Sequence, residues 1–232
     1  MKVTTDRFRQ TALAELADPR TQKFLQILPL RLSARRQAAY ESFADPAAAH
    51  LYGQAIRAES VARLPELLET FERNALANGA RVFWAEDSAA ANRYIADLAL
   101  EKGAHYVTKG KSMITEELGL NAYLAQQGIT AWETDLGEFI TQLLERPPFH
   151  IVGPAINIPV EQFRDIFLEK GVLDAPTLDP VALGKAARRF LRDMFPDLRM
   201  GITGVNIAVA ATGTVSNVEN EGNIRLNKSS PK

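Results

Sequence analysis

The stretch that decides the fold is residues 201–225, GITGVNIAVAATGTVSNVENEGNIR. Apolar residues alternate with small or polar ones from Val205 to Val209, which predicts a β-strand. Glycines beside this strand let the backbone approach a ligand, and the neighbouring hydroxyl, amide and guanidinium groups are able to bind one. We therefore predict a ligand site here, with an ordinary hairpin that turns at Gly213 and Gly222 as the open alternative. The candidate ligand-binding residues of this stretch are Thr203, Gly204, Asn206, Thr212, Gly213, Thr214, Asn220, Gly222, Asn223 and Arg225.

Glu221 is the candidate catalytic residue of the same stretch. If residues 221–225 are extended, Glu221, Asn223 and Arg225 lie on one side of the segment, and a turn at Gly213 folds it back on the preceding strand. Arg225 would then bind a carboxylate through two parallel hydrogen bonds, with Glu221 available for proton transfer. The alternative is a surface ion pair between Glu221 and Arg225. The predicted pocket also contains Thr203, Asn206 and Thr214.

Composition and charge exclude several classes of protein. The 27 Lys and Arg residues nearly cancel the 28 Asp and Glu residues, so no net field attracts nucleic acid. The chain has no cysteine, which excludes disulfides, a thiolate nucleophile and an iron–sulfur cluster held by this chain's own thiolates. We therefore expect no metal or cofactor bound to this chain. No apolar run is long enough to span a bilayer or resembles a signal peptide, so we expect a cytoplasmic protein.

The chain has two regions that differ in composition and in residue pattern. Residues 1–78 are rich in Ala, Leu, Glu and Arg, and the spacing of Leu64, Leu68, Phe71 and Ala75 is that of one helical face, so we predict a helical N-terminal region. Residues 79–232 alternate strands with helices and are predicted to form an α/β domain. Single helices between strands require parallel crossovers, so we expect an open, mainly parallel sheet with helices on both faces. The predicted strands are 81–85, 105–108, 129–133, 149–153 and 205–209. The last N-terminal helix is predicted to end at Asn78-Gly79, and one helix is predicted from Ser112 or Thr115 to Gln127. Asp87 is a predicted helix cap, and Asp179-Pro180 is predicted to begin a further helix.

Two further groups of residues lie where ligands bind in such sheets, beyond the carboxyl ends of the strands. Lys109, Lys111 and Ser112 come between a strand and a helix, where ammonium groups and free backbone N–H groups suit an anion; a solvated turn is the alternative. Asp135 and Glu138 lie at a helix start, where carboxylates cap backbone N–H groups. Of the two, Glu138 is the better candidate for contacting a ligand.

Four runs in this order resemble the lactate utilisation protein B family: 109–121 (KGKSMITEELGLN), 133–143 (ETDLGEFITQL), 150–155 (HIVGPA) and 201–225. The resemblance implies a fold similar to the sugar-phosphate isomerase and CoA-transferase superfamily, which agrees with the predicted sheet. It also implies a role in oxidising L-lactate to pyruvate within a three-protein system, whose other subunits would be partners of this chain. The implied ligand is a small carboxylate or another anion.

The resemblance also implies iron–sulfur clusters in full-length family members, bound by cysteines in a segment that follows the shared motifs. This chain ends at 227–232, NKSSPK, without a cysteine. We therefore expect a truncated family member from which cluster-based electron transfer is absent.

Three functional hypotheses stay open. The first is a ligand-binding or scaffold domain of a lactate-oxidising complex. The second is a self-contained enzyme or binding protein for an acyl or sugar-phosphate-like anion, with Glu221 as nucleophile or base. The third is an inert, truncated remnant with an open sheet edge.

Overall fold

The structure is a computed structural model that describes residues 5–151 and 153–232. It divides into two compact units. The smaller unit contains the described residues up to Val82 together with Ala208–Val215, and the larger unit contains Phe83–Ile207 and Ser216–Lys232. In the part of the chain that the structure describes, no helix is both long and apolar enough to cross a lipid bilayer.

The N-terminal region is helical, as predicted; residues 1–4 lie outside the described residues. Asp45 begins the third helix by accepting a hydrogen bond from the Ala48 backbone N–H (2.9 Å). The fourth helix ends at the predicted Asn78-Gly79 pair, where Gly79 has a φ of 83°. A short 3-10 helix, Thr5–Arg7, precedes four α-helices: α1 (Phe8–Ala17), α2 (Pro19–Glu41), α3 (Pro46–Ala62) and α4 (Leu64–Ala77).

The remaining elements alternate helices with short strands. Asp87, Asp135 and Asp179 each cap the helix that follows them, and the sequence predicts a helix start at all three. The elements are α5 (Ser88–Glu101), β1 (Tyr106–Lys109), α6 (Met113–Glu117), α7 (Leu120–Gln126), β2 (Thr130–Glu133), α8 (Leu136–Leu143), α9 (Val160–Glu169), α10 (Pro180–Arg192), β3 (Gly201–Ile202), β4 (Ile207–Val209), β5 (Thr214–Ser216) and α11 (Asn223–Ser229).

The sheet is parallel and has the strand order β2-β1-β3. In its register Lys109 lies opposite Glu133, so the carboxyl ends of β1 and β2 are level. Neighbouring residues of β2 pack on different helices: Ala131 joins the core formed with α5 and α7, and Trp132 packs against α8 and α10. Because successive side chains of a strand point to opposite faces, helices cover both faces of the sheet, which confirms the predicted α/β class.

Two of the predicted strands were wrong. Residues 81–85 form no strand, and Phe83 instead stacks on Tyr94 of α5 with ring centroids 4.2 Å apart. The described residues of 149–153 are irregular as well, with residue 152 outside the described range. That segment lies between Pro148 and Pro154, which donate no backbone hydrogen bond, and the Phe149 N–H closes a turn onto the Pro154 carbonyl (2.9 Å).

Two helix predictions also need correction. The predicted single helix from Ser112 or Thr115 to Gln127 is interrupted at Gly119, which has a φ of 66° and separates α6 from α7. Residues 221–225, predicted to be extended, instead enter α11 at Asn223, after Gly222 with a φ of 76°. A glycine in that conformation serves a turn before a helix as well as a turn between strands, so the sequence alone did not distinguish them.

Gly201→Ala tests how tightly α11 packs on β3. A methyl group at Gly201 would lie 1.9 Å from the Asn227 carbonyl oxygen, so we expect the free energy of unfolding to fall by about 1–3 kcal/mol or more. The matched control is Gly184→Ala in α10, where a Cβ meets nothing within 4 Å, and we expect it to be neutral or stabilising by up to about 1 kcal/mol. Denaturant unfolding measures both; equal stability of the two variants would contradict the close packing.

Candidate functional site

A buried ion-pair cluster lies at the carboxyl ends of β1 and β2. The Lys109 side chain is 0% exposed, and its Nζ donates to Thr115 Oγ1 (2.9 Å), Glu116 Oε1 (2.7 Å) and Glu133 Oε1 (2.8 Å). Burial alone would lower the pKa of Lys109, but Glu133 and Glu116 outweigh it and hold that pKa above its ordinary value. An ammonium group has three N–H donors, and internal acceptors use all three. Lys109 therefore has no donor left for a ligand.

Glu138, from the first turn of α8, adds a second carboxyl group to this cluster. Its side chain is buried, and burial followed by the charge of Glu133 raises its pKa to about 9. As carboxylates, both oxygens of Glu138 and Oε2 of Glu133 would lack a hydrogen-bond donor. A protonated Glu138 instead donates to Glu133, whose Oε1 already accepts from Asn121 Nδ2 (2.7 Å) and Lys109. Glu138 is therefore protonated at neutral pH, and its proton lies in a hydrogen bond to Glu133, which we call the shared proton.

Two other carboxylates hold the N-terminus of α8. Asp135 Oδ1 accepts from the backbone N–H groups of Gly137 (3.0 Å) and Glu138 (3.1 Å), so Asp135 is the predicted cap. Glu221 Oε2 accepts from the Leu136 N–H (3.1 Å). Partial burial, and then the charge of Asp135, raise the pKa of Glu221 above its ordinary value. Glu221 is thus anchored at a helix start and is easier to protonate than a free glutamate.

A cavity of about 970 Å³ lies in the larger unit, beside the Glu221 carboxyl group. Glu221, Gly222, Asn223 and Arg225, four of the predicted site residues, line it together with the loop that leads into α8. Among its described lining residues, four are cationic and one is acidic. The charged lining residues are Arg188, Arg192, Arg225, Lys232 and Glu221.

Arg225 has a different ion-pair partner from the predicted one. Its backbone N–H donates to Glu219 Oε2 (2.9 Å) and its Nε to Glu219 Oε1 (3.2 Å). The predicted pairing with Glu221 assumed an extended segment, whereas α11 begins at Asn223 and separates the two side chains. The Arg225 side chain is 80% exposed, so the pair with Glu219 leaves it largely in contact with solvent.

The other candidate residues of the larger unit serve local structure. Ser112 Oγ caps α6, and a Cβ on Gly204 would lie 3.3 Å from that oxygen. The Gly204 carbonyl accepts from Asn217 Nδ2, and Asn206 Oδ1 accepts from the Val218 N–H (2.9 Å). These contacts shape the loops around β3 and β4. Thr203 is partly buried, Asn220 is exposed, and Lys111 acts on Glu221 by lowering its pKa slightly against the larger effects of burial and Asp135.

Thr212, Gly213 and Thr214 belong to the smaller unit, in the hairpin formed by β4 and β5. The Thr212 carbonyl accepts from Asn78 Nδ2 (2.8 Å), and Thr212 Oγ1 donates to Thr214 Oγ1 (2.9 Å). Gly213 has a φ of 65°, and a Cβ there would lie 2.3 Å from the Ala75 backbone nitrogen. The hairpin that the sequence left as an alternative is therefore present, and its glycine is needed for packing on α4.

Two cationic residues of the cavity were missed by sequence reasoning. Arg188 and Arg192 are four positions apart on α10 and so lie on the same helical face. From the sequence, the adjacent pair Arg188-Arg189 is interpreted as a solvated helix face, and Arg192 has no predicted role. The sequence feature that could have identified these arginines is their spacing. Ala187 and Leu191 of the apolar face are also four positions apart, and each arginine directly follows one of them, so both arginines lie at the border of that face.

Lys109→Met tests the buried cluster. Removing the cation leaves Glu133 buried without its charge partner, and breaking a buried pair in this way costs about 3–5 kcal/mol. The control is Lys102→Met, which removes the same charge from an exposed site and should cost less than about 1 kcal/mol. Denaturant midpoints compare the two; similar values would show that Lys109 does not hold the strand ends together.

Glu138→Gln tests the shared proton. Because the folded-state pKa of Glu138 lies above its unfolded value, its protonated form favours folding at low pH, and that stability is lost as pH rises from about 4.5 to about 9. The amide keeps a donor to Glu133 at every pH, so the variant should lose less stability than the wild type between pH 6 and pH 9. Glu161→Gln, at an exposed site, should keep the wild-type pH dependence. Identical slopes for Glu138→Gln and wild type would disprove the shared proton.

Comparison with known proteins gives the family. The sequence profile of the LUD domain matches residues 68–232, more than half of the chain. The chain is 36% identical over 233 aligned positions to lactate utilization protein B of Macrococcus caseolyticus (strain JCSC5402), covering 100% of this chain and 49% of that protein. It is 40% identical over 203 positions to the protein of the same name from Bacillus velezensis (strain DSM 23117 / BGSC 10A6 / LMG 26770 / FZB42), covering 87% of this chain and 42% of the relative.

A third relative, lactate utilization protein B of Geobacillus thermodenitrificans (strain NG80-2), is 43% identical over 178 positions, with 76% of this chain and 37% of the relative covered. The chain thus spans half or less of the length of these curated relatives. No solved structure matches it. The profile match, the parallel sheet and the four sequence runs agree, and the chain belongs to the LUD domain family.

Proposed function

We propose that this chain is the ligand-binding and scaffold domain of a lactate-utilisation system that oxidises L-lactate to pyruvate. The observation that carries the proposal is the cavity beside Glu221, whose described lining holds four cationic residues against one acidic residue. The names of the relatives support lactate utilisation as the process. Other subunits of such a system are the proposed protein partners.

The chemistry of the cavity suits a small carboxylate. Lactate and pyruvate are both anions, and a guanidinium group binds a carboxylate through two parallel hydrogen bonds. Arg225 lines the cavity with most of its side chain exposed, so it has donors available besides the Nε that contacts Glu219. Arg225 is therefore the proposed carboxylate-binding residue.

Glu221 is the proposed proton-transfer residue. It lines the same cavity as Arg225, and its raised pKa brings protonation closer to neutral pH than for a free carboxylate. Its hydrogen bond from the Leu136 N–H fixes Oε2, and Oε1 is the oxygen that we propose for proton transfer. In lactate oxidation this group would hold the proton that leaves the substrate hydroxyl.

The electrons of that oxidation are not assigned to this chain. Iron–sulfur clusters require thiolate or comparable ligands, and the sequence contains no cysteine. The residues present therefore do not fit a cysteine-ligated cluster, and no electron-transfer step is derived for them. The proposed contribution of the chain is to bind and orient the carboxylate and to hold a proton.

Ligand binding to the wild type and to Arg225→Lys tests the proposal. Pyruvate or lactate bound to the folded state should raise the melting temperature of the protein. CoA and sugar phosphates are screened in the same way as alternative ligands. Lysine keeps the charge but loses the planar fork, so Arg225→Lys should weaken pyruvate binding roughly tenfold. Arg199→Lys, at an exposed position that does not line the cavity, should bind like the wild type.

The proposal fails if neither lactate nor pyruvate shifts the melting temperature. It also fails if Arg225→Lys and Arg199→Lys bind pyruvate equally well. A shift with CoA or a sugar phosphate alone would favour the second hypothesis, an enzyme or binding protein for a larger anion.

A further inference from the structure

Arg188 and Arg192 give the cavity a paired positive charge. Both line it, and neither forms an ion pair with any residue that the structure describes. Their spacing of four residues on α10 puts their Cβ atoms about 5–6 Å apart, one above the other on the helix surface. Like charges at this spacing repel and destabilise a helix slightly, so an anion between them would remove an unfavourable contact.

The neighbouring arginines differ from Arg188 and Arg192, which are the arginines that both line the cavity and lack an ion-pair partner among the described residues. Arg189 follows directly in the sequence but does not line the cavity, and its Nη2 lies 3.9 Å from Asp174 Oδ2. Arg225 lines the cavity but is partly neutralised by Glu219. Among the arginines that line the cavity, the uncompensated positive charge is therefore carried by Arg188 and Arg192 of α10.

The size of the cavity also favours a ligand larger than lactate or pyruvate. Its volume of about 970 Å³ is at the upper end of the range for sites that bury drug-sized ligands, about 300–1,000 Å³. A three-carbon acid is far smaller than such ligands. Lactate held at Arg225 would therefore leave most of the cavity volume unfilled.

We propose that the cavity binds an organic ligand with at least two anionic groups, one of which is held between Arg188 and Arg192. The inference rests on the proposed function only in placing the ligand in the same cavity. The second anionic group is a phosphate or a carboxylate, since a guanidinium group binds both in the same forked geometry. A ligand of this class extends from the α10 arginines towards Arg225 and Glu221.

The experiment compares dianions with a monoanion. Pyrophosphate, succinate and pyruvate are titrated calorimetrically into the wild type and into the double variant Arg188→Gln/Arg192→Gln. The matched control is Arg189→Gln/Arg199→Gln, which removes the same charge from exposed positions outside the cavity. Melting curves show that each variant is folded, and Arg192→Gln alone replaces the double variant if the latter does not fold.

We expect pyrophosphate or succinate to bind the wild type at least tenfold more tightly than pyruvate. The cavity double variant should lose at least tenfold in dianion affinity, because it removes both charged hydrogen-bond donors from one anionic group, and it should keep pyruvate affinity within about twofold. The control should keep both affinities. Binding of pyrophosphate alone or of succinate alone identifies the second group as phosphate or carboxylate.

Three results would overturn the inference. These are dianion binding no tighter than pyruvate binding, an unchanged dianion affinity in the cavity variant, or an equal loss in the control, which would indicate net charge alone. If neither pyruvate nor lactate binds the wild type but the cavity variant still loses dianion binding, the proposed function fails and the dianion site stands.

Discussion

The ammonium group of Lys109 is the constraint on which the larger unit depends. A buried charge must be paired and hydrogen-bonded, and this one is bonded to α6 through Glu116 and to β2 through Glu133. It therefore sets the positions of three elements at the carboxyl edge of the sheet. Burial, and then the charge of Glu133, raise the pKa of Glu138 to about 9, so Glu138 stays neutral beside these ion pairs.

A second set of hydrogen bonds connects the backbone of Lys109 to the wall of the cavity. The Lys109 carbonyl accepts from both the backbone N–H (2.9 Å) and the hydroxyl (2.8 Å) of Thr134. Thr134 Oγ1 then accepts from Asn227 Nδ2 (3.1 Å) and Asn223 Nδ2 (3.3 Å) of α11. The end of β1, the loop before α8 and the start of α11 are thus one connected network. Thr134 and Asn223 of that network line the cavity, so these hydrogen bonds connect the buried cluster to the cavity wall beside Glu221.

The charged residues of the larger unit form two groups, one buried and one exposed. The buried cluster of one lysine and its glutamates is closed to ligands, whereas the arginines of α10 and α11 face the cavity with exposed guanidinium groups. Burial makes the first group structural, since each of its charges is compensated internally. Because the arginines of α10 and α11 are exposed, their guanidinium groups can exchange water for an anion at little desolvation cost. The chain therefore presents a cationic cavity although its formal net charge is only -1.

The sequence by itself determined the elements whose signals are local. The cap at Asp135, the glycine at position 79 and the strands before Lys109 and at Glu133 follow from neighbouring residues, and the resemblance to the family follows from four short runs. Tertiary structure decided which of the polar groups are structural and which face the cavity. Lys109 and Arg192 are both cations at the ends of elements, and only burial distinguishes them. Because burial, the shared proton of Glu138 and the pairing of Arg225 depend on residues distant in the chain, no local pattern encodes them.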